Sequence, residues 1–485
     1  MHRRSFTMKI KSSDILLSVL ALFAVLVANN DISVVRSKGN RTSYPYPNPV
    51  LVKDINKTGD TGFYDPINVN GTLFFAADDG VNGEELWKSD GTEAGTVLIK
   101  DIYSGPETSW VSSMVEMDGE AYFSAHDANY GSELWKSDGT EIGTSLVKDI
   151  YSGTQGSYPD WITVMNDMLY FAVDVSGLWR SDGTEAGTIM VKDIGYPSWL
   201  EAIDGTLYLR AEDAVYGAEL WKSNGTEAGT VIIKDINSGV DDSNPSYFTN
   251  LSGTICFSAS DGINGRELWK TDGTESGTTI VKDINSGTEN SSPSSLIEMN
   301  GTLYFSANDG VHGVELWKTD GTEGGTLMVK DIYSGTGDSN VRQITNVNGT
   351  LYFAANDGVH GDELWKSDGT EAGTVIVKDI NGGVGDATPY SLTSMGETLY
   401  FSAHDDVSGR ELWKSDGTEE GTIIVKDIKS GIEESVLGWF ARVDDILFFV
   451  ADDGIHGYEL WKLTVDIIAP VVDSVVRADP DPTSA

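Results

Sequence analysis

Residues 363–380, "ELWKSDGTEAGTVIVKDI", nearly duplicate residues 219–236, and relatives of this stretch recur along most of the chain. A unit written at a fixed period must bury its apolar surface against its own copies, and few folds allow that. Trp87, Trp135, Trp179, Trp221, Trp269, Trp317, Trp365, Trp413 and Trp461 all follow E-L or G-L, at spacings of 48, 44 and 42 and then 48 five times, so there are nine units. The unit that starts at Pro293, "PSSLIEMNGTLYFSANDGVHGVELWKTDGTEGGTLMVKDI", breaks at its Gly, Asn-Gly and Asp-Gly turns into four apolar runs. They are strands a ("SSLIEM"), b ("TLYFSA"), c ("VELWK") and d ("TLMVKDI"). In strands b and c, apolar residues stand at adjacent positions (Leu303, Tyr304 and Phe305; Leu316 and Trp317), so both sheet faces must be covered. Four strands in a period of this length make the blade of a β-propeller. The expectation is an all-β chain of nine four-stranded blades.

The ends of the array say how it closes. An isolated d-type strand, "LVKDI" at 51–55, precedes any a, b or c strand, whereas the last unit stops after "ELWKLTV" with neither an Asp-Gly turn nor a d strand. The chain writes eight c–d turns, seven Asp-Gly and one Asn-Gly (Asn224-Gly225). Leu51–Ile55 is therefore expected to supply the outer strand of the last blade, which also protects an edge that would otherwise be open to pairing. Nine blades exceed the usual range of about four to eight, so an open or irregular ring is the structural alternative.

The consensus E-L-W-K-[ST]-D-G-T-E-x-G-T, followed by V-K-D-I, resembles the bacterial ELWxxDGT-repeat proteins, also termed hyalin-like, and more distantly TolB-type and WD-type propellers. The likeness covers about 415 residues, Leu51 to Val465. It implies a propeller-type array and brings no catalytic residue with it. Blade 3 departs from it with "SGLWR", and blade 4 departs at Asn224.

Composition narrows the partners. With 75 acidic against 33 basic residues, the formal net charge is −42, which repels phosphate backbones and anionic headgroups and argues against nucleic acid. The lone cysteine, Cys256, cannot form an internal disulfide and reads as a small core residue. Arg3, Arg4, Lys9 and Lys11 precede the apolar run "ILLSVLALFAVLV" at 15–27, the pattern of a signal peptide over residues 1–28. Residues 29–50 then read as a linker and 51–466 as the propeller. Residues 467–485 read as the start of a truncated Ig-like module or a tail. The expected destination is secretion or the cell surface, with no membrane insertion after signal cleavage.

A motif written nine times is more readily structural than catalytic. The Asp-Gly of S-D-G-T reads as turn chemistry, similar to the Asp-box of sialidase propellers. His312, His360 and His456 share one loop position, and His126 and His404 share another, so they too read as loop residues. No HExxH, GxSxG or phosphate-loop pattern occurs, and paired acids are too common here to signal glycosidase chemistry. No cofactor is expected. Calcium is the open alternative, because the d–a loops ("DINSGTENSS", 283–292) and b–c loops ("ANDGVHG", 307–313) are rich in oxygen ligands, although they lack the alternating D-x-D-x-D-G spacing.

In a repeat scaffold the informative positions are those that vary while their surroundings do not. One position near the start of strand a is occupied in order by Asp65, Ser113, Trp161, Trp199, Tyr247, Ser295, Gln343, Ser391 and Trp439. Blades 3, 4 and 5 carry aromatics there, beside a b–c loop shortened in blade 3 and a d–a loop shortened before blade 4. Trp161, Trp199, Tyr247 and Trp439 are thus the candidate binding residues, with packing in a wide channel as the alternative role. The chain reads as an exported, non-enzymatic binding or adhesion module for a glycan or protein at the cell surface. A sugar-active propeller enzyme with carboxylates near Trp161 and Trp199 is the second reading, and a passive spacer is the third.

Overall fold

The computed structural model describes residues 48–174, 177–435 and 438–465. The signal peptide, most of the linker and the tail read from the sequence lie outside the described residues. Thirty-six strands form nine four-stranded antiparallel sheets, each a meander in the order a-b-c-d. Consecutive a strands pack against one another all the way round, including the last (β34, Gly438–Val443) against the first (β2, Tyr64–Val69), so strand a is innermost and the ring is closed. The chain is a nine-bladed β-propeller. Among the described residues no helix is long and apolar enough to cross a membrane.

Closure follows the expected route. Strand β1 (Val50–Lys53) pairs antiparallel with β36 (Tyr458–Thr464), placing Val50 opposite Lys462 and Leu51 opposite Trp461. The last blade is therefore built from both ends of the array, in the order β1-β36-β35-β34, where β35 is Ile446–Asp452. Buried Val52 and Ile55 join Phe448 and Leu460 of this blade and Phe75 and Trp87 of the first in one apolar cluster.

Adjacent apolar residues in strands b and c are explained by blade stacking. Side chains alternate across a strand, so Phe74 and Leu86 face blade 2 while Phe75 and Trp87 face blade 9. One such cluster fills each of the nine blade interfaces. Phe75, Phe123, Phe171, Phe257, Phe305, Phe353 and Phe401 are all fully buried, each contributing roughly 1.5–3 kcal/mol. Cys256 is a free, buried core thiol. Lysines lace neighbouring blades together: Lys100 Nζ donates to the Thr144 carbonyl at 2.8 Å and lies 6.0 Å from the Trp135 ring centre, while Lys88 Nζ donates to the Gly139 carbonyl at 2.8 Å.

The S-D-G-T turn is structural, as its repetition implied. Asp90 Oδ1 accepts the Thr92 amide at 2.8 Å and the Thr92 hydroxyl at 2.7 Å, and the Ser89 and Thr96 hydroxyls meet at 2.7 Å in the interior. The Thr92 hydroxyl, seconded by its amide, holds the Asp90 carboxyl below its usual range.

The glutamate of E-L-W is fully buried in eight blades. Glu219 Oε2 accepts the Ile236 amide at 2.8 Å and the Ser243 hydroxyl at 2.6 Å, and its Oε1 accepts the amides of Asn237 at 3.2 Å and Ser243 at 3.1 Å. One carboxylate thus ties down both ends of a d–a loop. Glu459 does the same for the N-terminal segment, accepting the amides of Ile55 at 2.8 Å and Asn56 at 3.1 Å across the closure. Burial outweighs these donors and pushes Glu85, Glu219, Glu267, Glu315 and Glu411 up to about 7 and Glu363 up to about 8.

His312, His360 and His456 are b–c loop residues, each with Nδ1 within 2.9 Å of the aspartate three residues earlier. His126 and His404 correct the expectation. They lie in strand b, opposite Ser132 and Arg410, because in blades 2 and 8 the b–c ladder runs on to Gly131 and Gly409, whose φ of 72° and 69° turn the chain there.

Removing residues 48–55 is expected to expose the edge of β36 and to cost at least the burial of Val52 and Ile55, about 3 kcal/mol or more. A lowered melting temperature with concentration-dependent association in size-exclusion chromatography would show it, and an unchanged monomer would contradict the closure. A second prediction concerns pH. A folded-state pKa raised above the unfolded value gives stability that is complete below about 4.3 and lost as pH rises through the folded value, near 7 for most of these glutamates. The raised histidines act in the same direction, and the lowered turn aspartates remove stability below pH ~3.9. Thermal unfolding should peak near pH ~5 and be clearly lower at pH ~8; a plateau from 5 to 8 would refute this account.

Candidate functional site

All nine a strands carry the same defect. In blade 3, Asp160 pairs with Ala172 but the next pair is Thr163 with Tyr170, so three steps on one strand oppose two on the other. The bulge leaves its middle residue in the left-handed region: Asp65, Ser113, Trp161, Trp199, Tyr247, Ser295, Gln343, Ser391 and Trp439 all have φ between 48° and 60°. These are the nine variable positions read from the sequence. Bulges re-aim side chains, and this one sits near the start of the innermost strand of every blade, at the end where the d–a and b–c loops gather, the mouth of the ring. Bulky residues adopt this conformation only where the surrounding structure imposes it.

The mouth brings three of the four candidates together. The Trp161 and Trp199 ring centres are 5.2 Å apart and those of Trp199 and Tyr247 are 4.8 Å apart, a continuous aromatic ladder across blades 3 to 5. Trp161 is 38% and Tyr247 is 41% exposed, while Trp199 leans on the apolar cluster between blades 4 and 5. The packing role weighed for these rings therefore holds in part for Trp199. Trp439 stands apart, with its edge to Tyr64 at 6.1 Å, and Asp65 and Ser113 intervene between it and Trp161.

Blade 3 departs from the repeat beside this ladder. Its E-L-W glutamate is replaced by Gly177, where a Cβ would lie 2.3 Å from the Lys192 carbonyl oxygen. With no carboxylate to gather a d–a loop, the chain passes almost directly from β13 (Ile189–Lys192) into β14 (Gly195–Ile203), the nine-residue a strand of blade 4. Loss of the glutamate and loss of the loop are one event.

A second ring of left-handed residues lies three positions upstream and was missed in the sequence: Trp110, Tyr158, Tyr196, Asn244, Ser292, Asn340 and Thr388, with φ of 42° to 50°. Carrying the repeat arithmetic back three more positions would have found its aromatics. Trp110, Tyr158 and Tyr196 are more than half exposed and, with Trp161, line a cleft of about 680 Å³. Asp65, Asp160, Asp174 and Arg210 supply its charges. Asp160 Oδ1 accepts the Ser113 hydroxyl at 2.8 Å and the Trp161 amide at 2.7 Å, and Asp65 Oδ2 accepts the Ser113 amide at 2.6 Å. Burial raises Asp65 above its ordinary value despite that amide, and burial followed by Asp78 and Asp65 pushes Glu84 up to about 7.

The loop carboxylates considered for calcium accept amides of their own loops. Asp309 Oδ1 accepts the amides of Val311 and His312, and Asp283 Oδ2 accepts that of Gly287. Among the described residues, no group of three or more His, Cys, Asp or Glu side chains is placed to hold a metal ion.

No family model and no curated protein matches the chain. Solved structures similar to it include the computationally designed Ika8 protein (13% identity, TM-score 0.43, 74% of this chain and 97% of that one). BamB from Moraxella catarrhalis is similar at 12% identity with a TM-score of 0.41, over 70% of this chain and 90% of that one. Puromycin hydrolase follows at 13% identity and a TM-score of 0.36, over 70% of this chain but only 58% of the hydrolase. At these values none carries an argument about what this chain does.

Where a bulge position holds a small residue, only the backbone geometry is at stake. Ser295→Gly is expected to stabilise the ring by up to ~1 kcal/mol, and Ser295→Val to destabilise it by ~1–2 kcal/mol, in urea unfolding. Equal stabilities would show that the left-handed bulge is not imposed.

Proposed function

We propose that the chain is an exported, non-enzymatic binding module of the ELWxxDGT-repeat kind that presents the mouth of its propeller to a glycan at the cell surface. The observation that carries this reading is the ladder Trp161–Trp199–Tyr247 beside the cleft of Trp110, Tyr158 and Tyr196. Flat apolar faces next to carboxylates, hydroxyls and a guanidinium match the two surfaces of a sugar ring, with C–H faces to stack and hydroxyls to hydrogen-bond. Repetition elsewhere supplies the scaffold, and the site lies where repetition fails.

A glycan-array screen of residues 47–466, with and without calcium and beside a Trp161→Ala/Trp199→Ala variant, tests it. Binding by the parent and a loss on the order of 10- to 100-fold in the variant is the expected result. A blank array for the folded protein would turn the reading toward a protein partner or a spacer. One observation favours a sugar-active enzyme as the second reading: Asp160 and Asp174 line the same cleft as Trp161. Product formation from any bound glycan, abolished in Asp160→Asn or Asp174→Asn, would replace the first reading by this one.

A further inference from the structure

The described residues hold six arginines, and four of them, Arg210, Arg266, Arg342 and Arg410, reach backbone carbonyls of the second left-handed ring at the mouth. Arg342 is paired with Asp362. Arg210 and Arg266 are not paired: among the described residues no carboxylate forms an ion pair with either, in a chain that carries 75 acidic residues. Arg210 Nε donates to Asn244 Oδ1 at 2.8 Å and its Nη1 to the Tyr196 carbonyl at 3.3 Å. Arg266 Nη1 donates to the Asn244 carbonyl at 3.0 Å, and its Nη2 to that of Ser243 at 3.4 Å. Asn244 thus joins the two guanidiniums, whose hydrogen bonds among the described residues all go to neutral oxygens, although Arg210 also borders the cleft that holds Asp65, Asp160 and Asp174.

They line one cavity of about 450 Å³ with Trp199, Tyr247 and Asn244, between blades 4 and 5 and at the end of the aromatic ladder. This volume lies within the ~300–1,000 Å³ typical of small-ligand sites. A half-buried cation without a counter-charge is costly, and an arriving anion relieves that cost with charge-assisted hydrogen bonds. The net charge of −42 opposes an anion from afar, but salt screens that repulsion beyond ~8 Å and leaves the contact pair to decide.

We propose that the cavity between blades 4 and 5 binds the anionic group, carboxylate or sulfate, of an acidic saccharide whose ring lies on Trp199 and Tyr247. This rests on the glycan reading above and narrows it to a charge class. Arg210 and Arg266 supply the fork, and the serines of the a strands supply donors to the remaining hydroxyls.

Calorimetry with tetragalacturonate against its fully methyl-esterified form removes the charge and keeps the sugar, and a sulfated galactan oligosaccharide against its desulfated form does the same for sulfate. The expected result is preference for the anionic member of at least one pair by about tenfold or more. That preference should collapse toward unity in Arg210→Gln and in Arg266→Gln. Because the ratio is taken within one variant, a fall in folded fraction does not alter it, and Arg210→Gln leaves the Arg266 guanidinium in place should Arg266→Gln fold poorly. Preference for the acid alone assigns a carboxylate site, and for the sulfate ester alone a sulfate site. Binding of charged and neutral forms with equal affinity, still lost in Trp161→Ala/Trp199→Ala, overturns this inference and leaves the glycan reading standing. Binding of none of the four overturns this inference, and the glycan array decides the reading on which it rests.

Discussion

The buried E-L-W glutamate sets the shape of the end of this propeller where the d–a and b–c loops gather. A fully buried carboxylate must be satisfied, and the nearest donors are the amides at the two ends of the following d–a loop. Each copy therefore folds a loop of fixed length over its blade. Glu459 extends the rule across the closure by taking the amides of Ile55 and Asn56, so the bond that shapes every mouth loop also fastens the two ends of the ring. Raised pKa values often mark catalytic carboxylates. Here they recur from blade to blade and record the cost of burying an acid that holds up a loop.

Blade 3 shows what happens without it. Gly177 leaves room for the Lys192 carbonyl, the connection shrinks to two residues, and strand a of blade 4 lengthens beside the aromatic ladder. The bulge supplies the other half. By holding nine residues at positive φ, it gives each blade one re-aimed side chain near the start of its innermost strand, at a position whose identity varies from blade to blade. Strain built into the scaffold becomes a display.

The mouth is chemically uneven. Asp65, Asp160 and Asp174 come from blades 1 to 3 and Arg266 from blade 5, while Arg210 of blade 4 borders both cavities along the aromatic ladder. Sorting of charge at one end gives any ligand there a direction in which to lie.

Read alone, the sequence determined the blade number, the strand order, the route of closure and the structural role of S-D-G-T, because each is carried by residues close together in the chain and repeated at a fixed period. It also located Trp161, Trp199, Tyr247 and Trp439 as the places where the repeat varies. It did not show that Trp439 stands apart, that Trp110, Tyr158 and Tyr196 form a second ring, or that Asn244 joins Arg210 to Arg266. Those depend on a bulge whose left-handed turn leaves no signature in residue type, and on the curvature that brings successive a strands side by side around one axis. A period can be read along the chain, but which side chains converge is decided only when the ring closes.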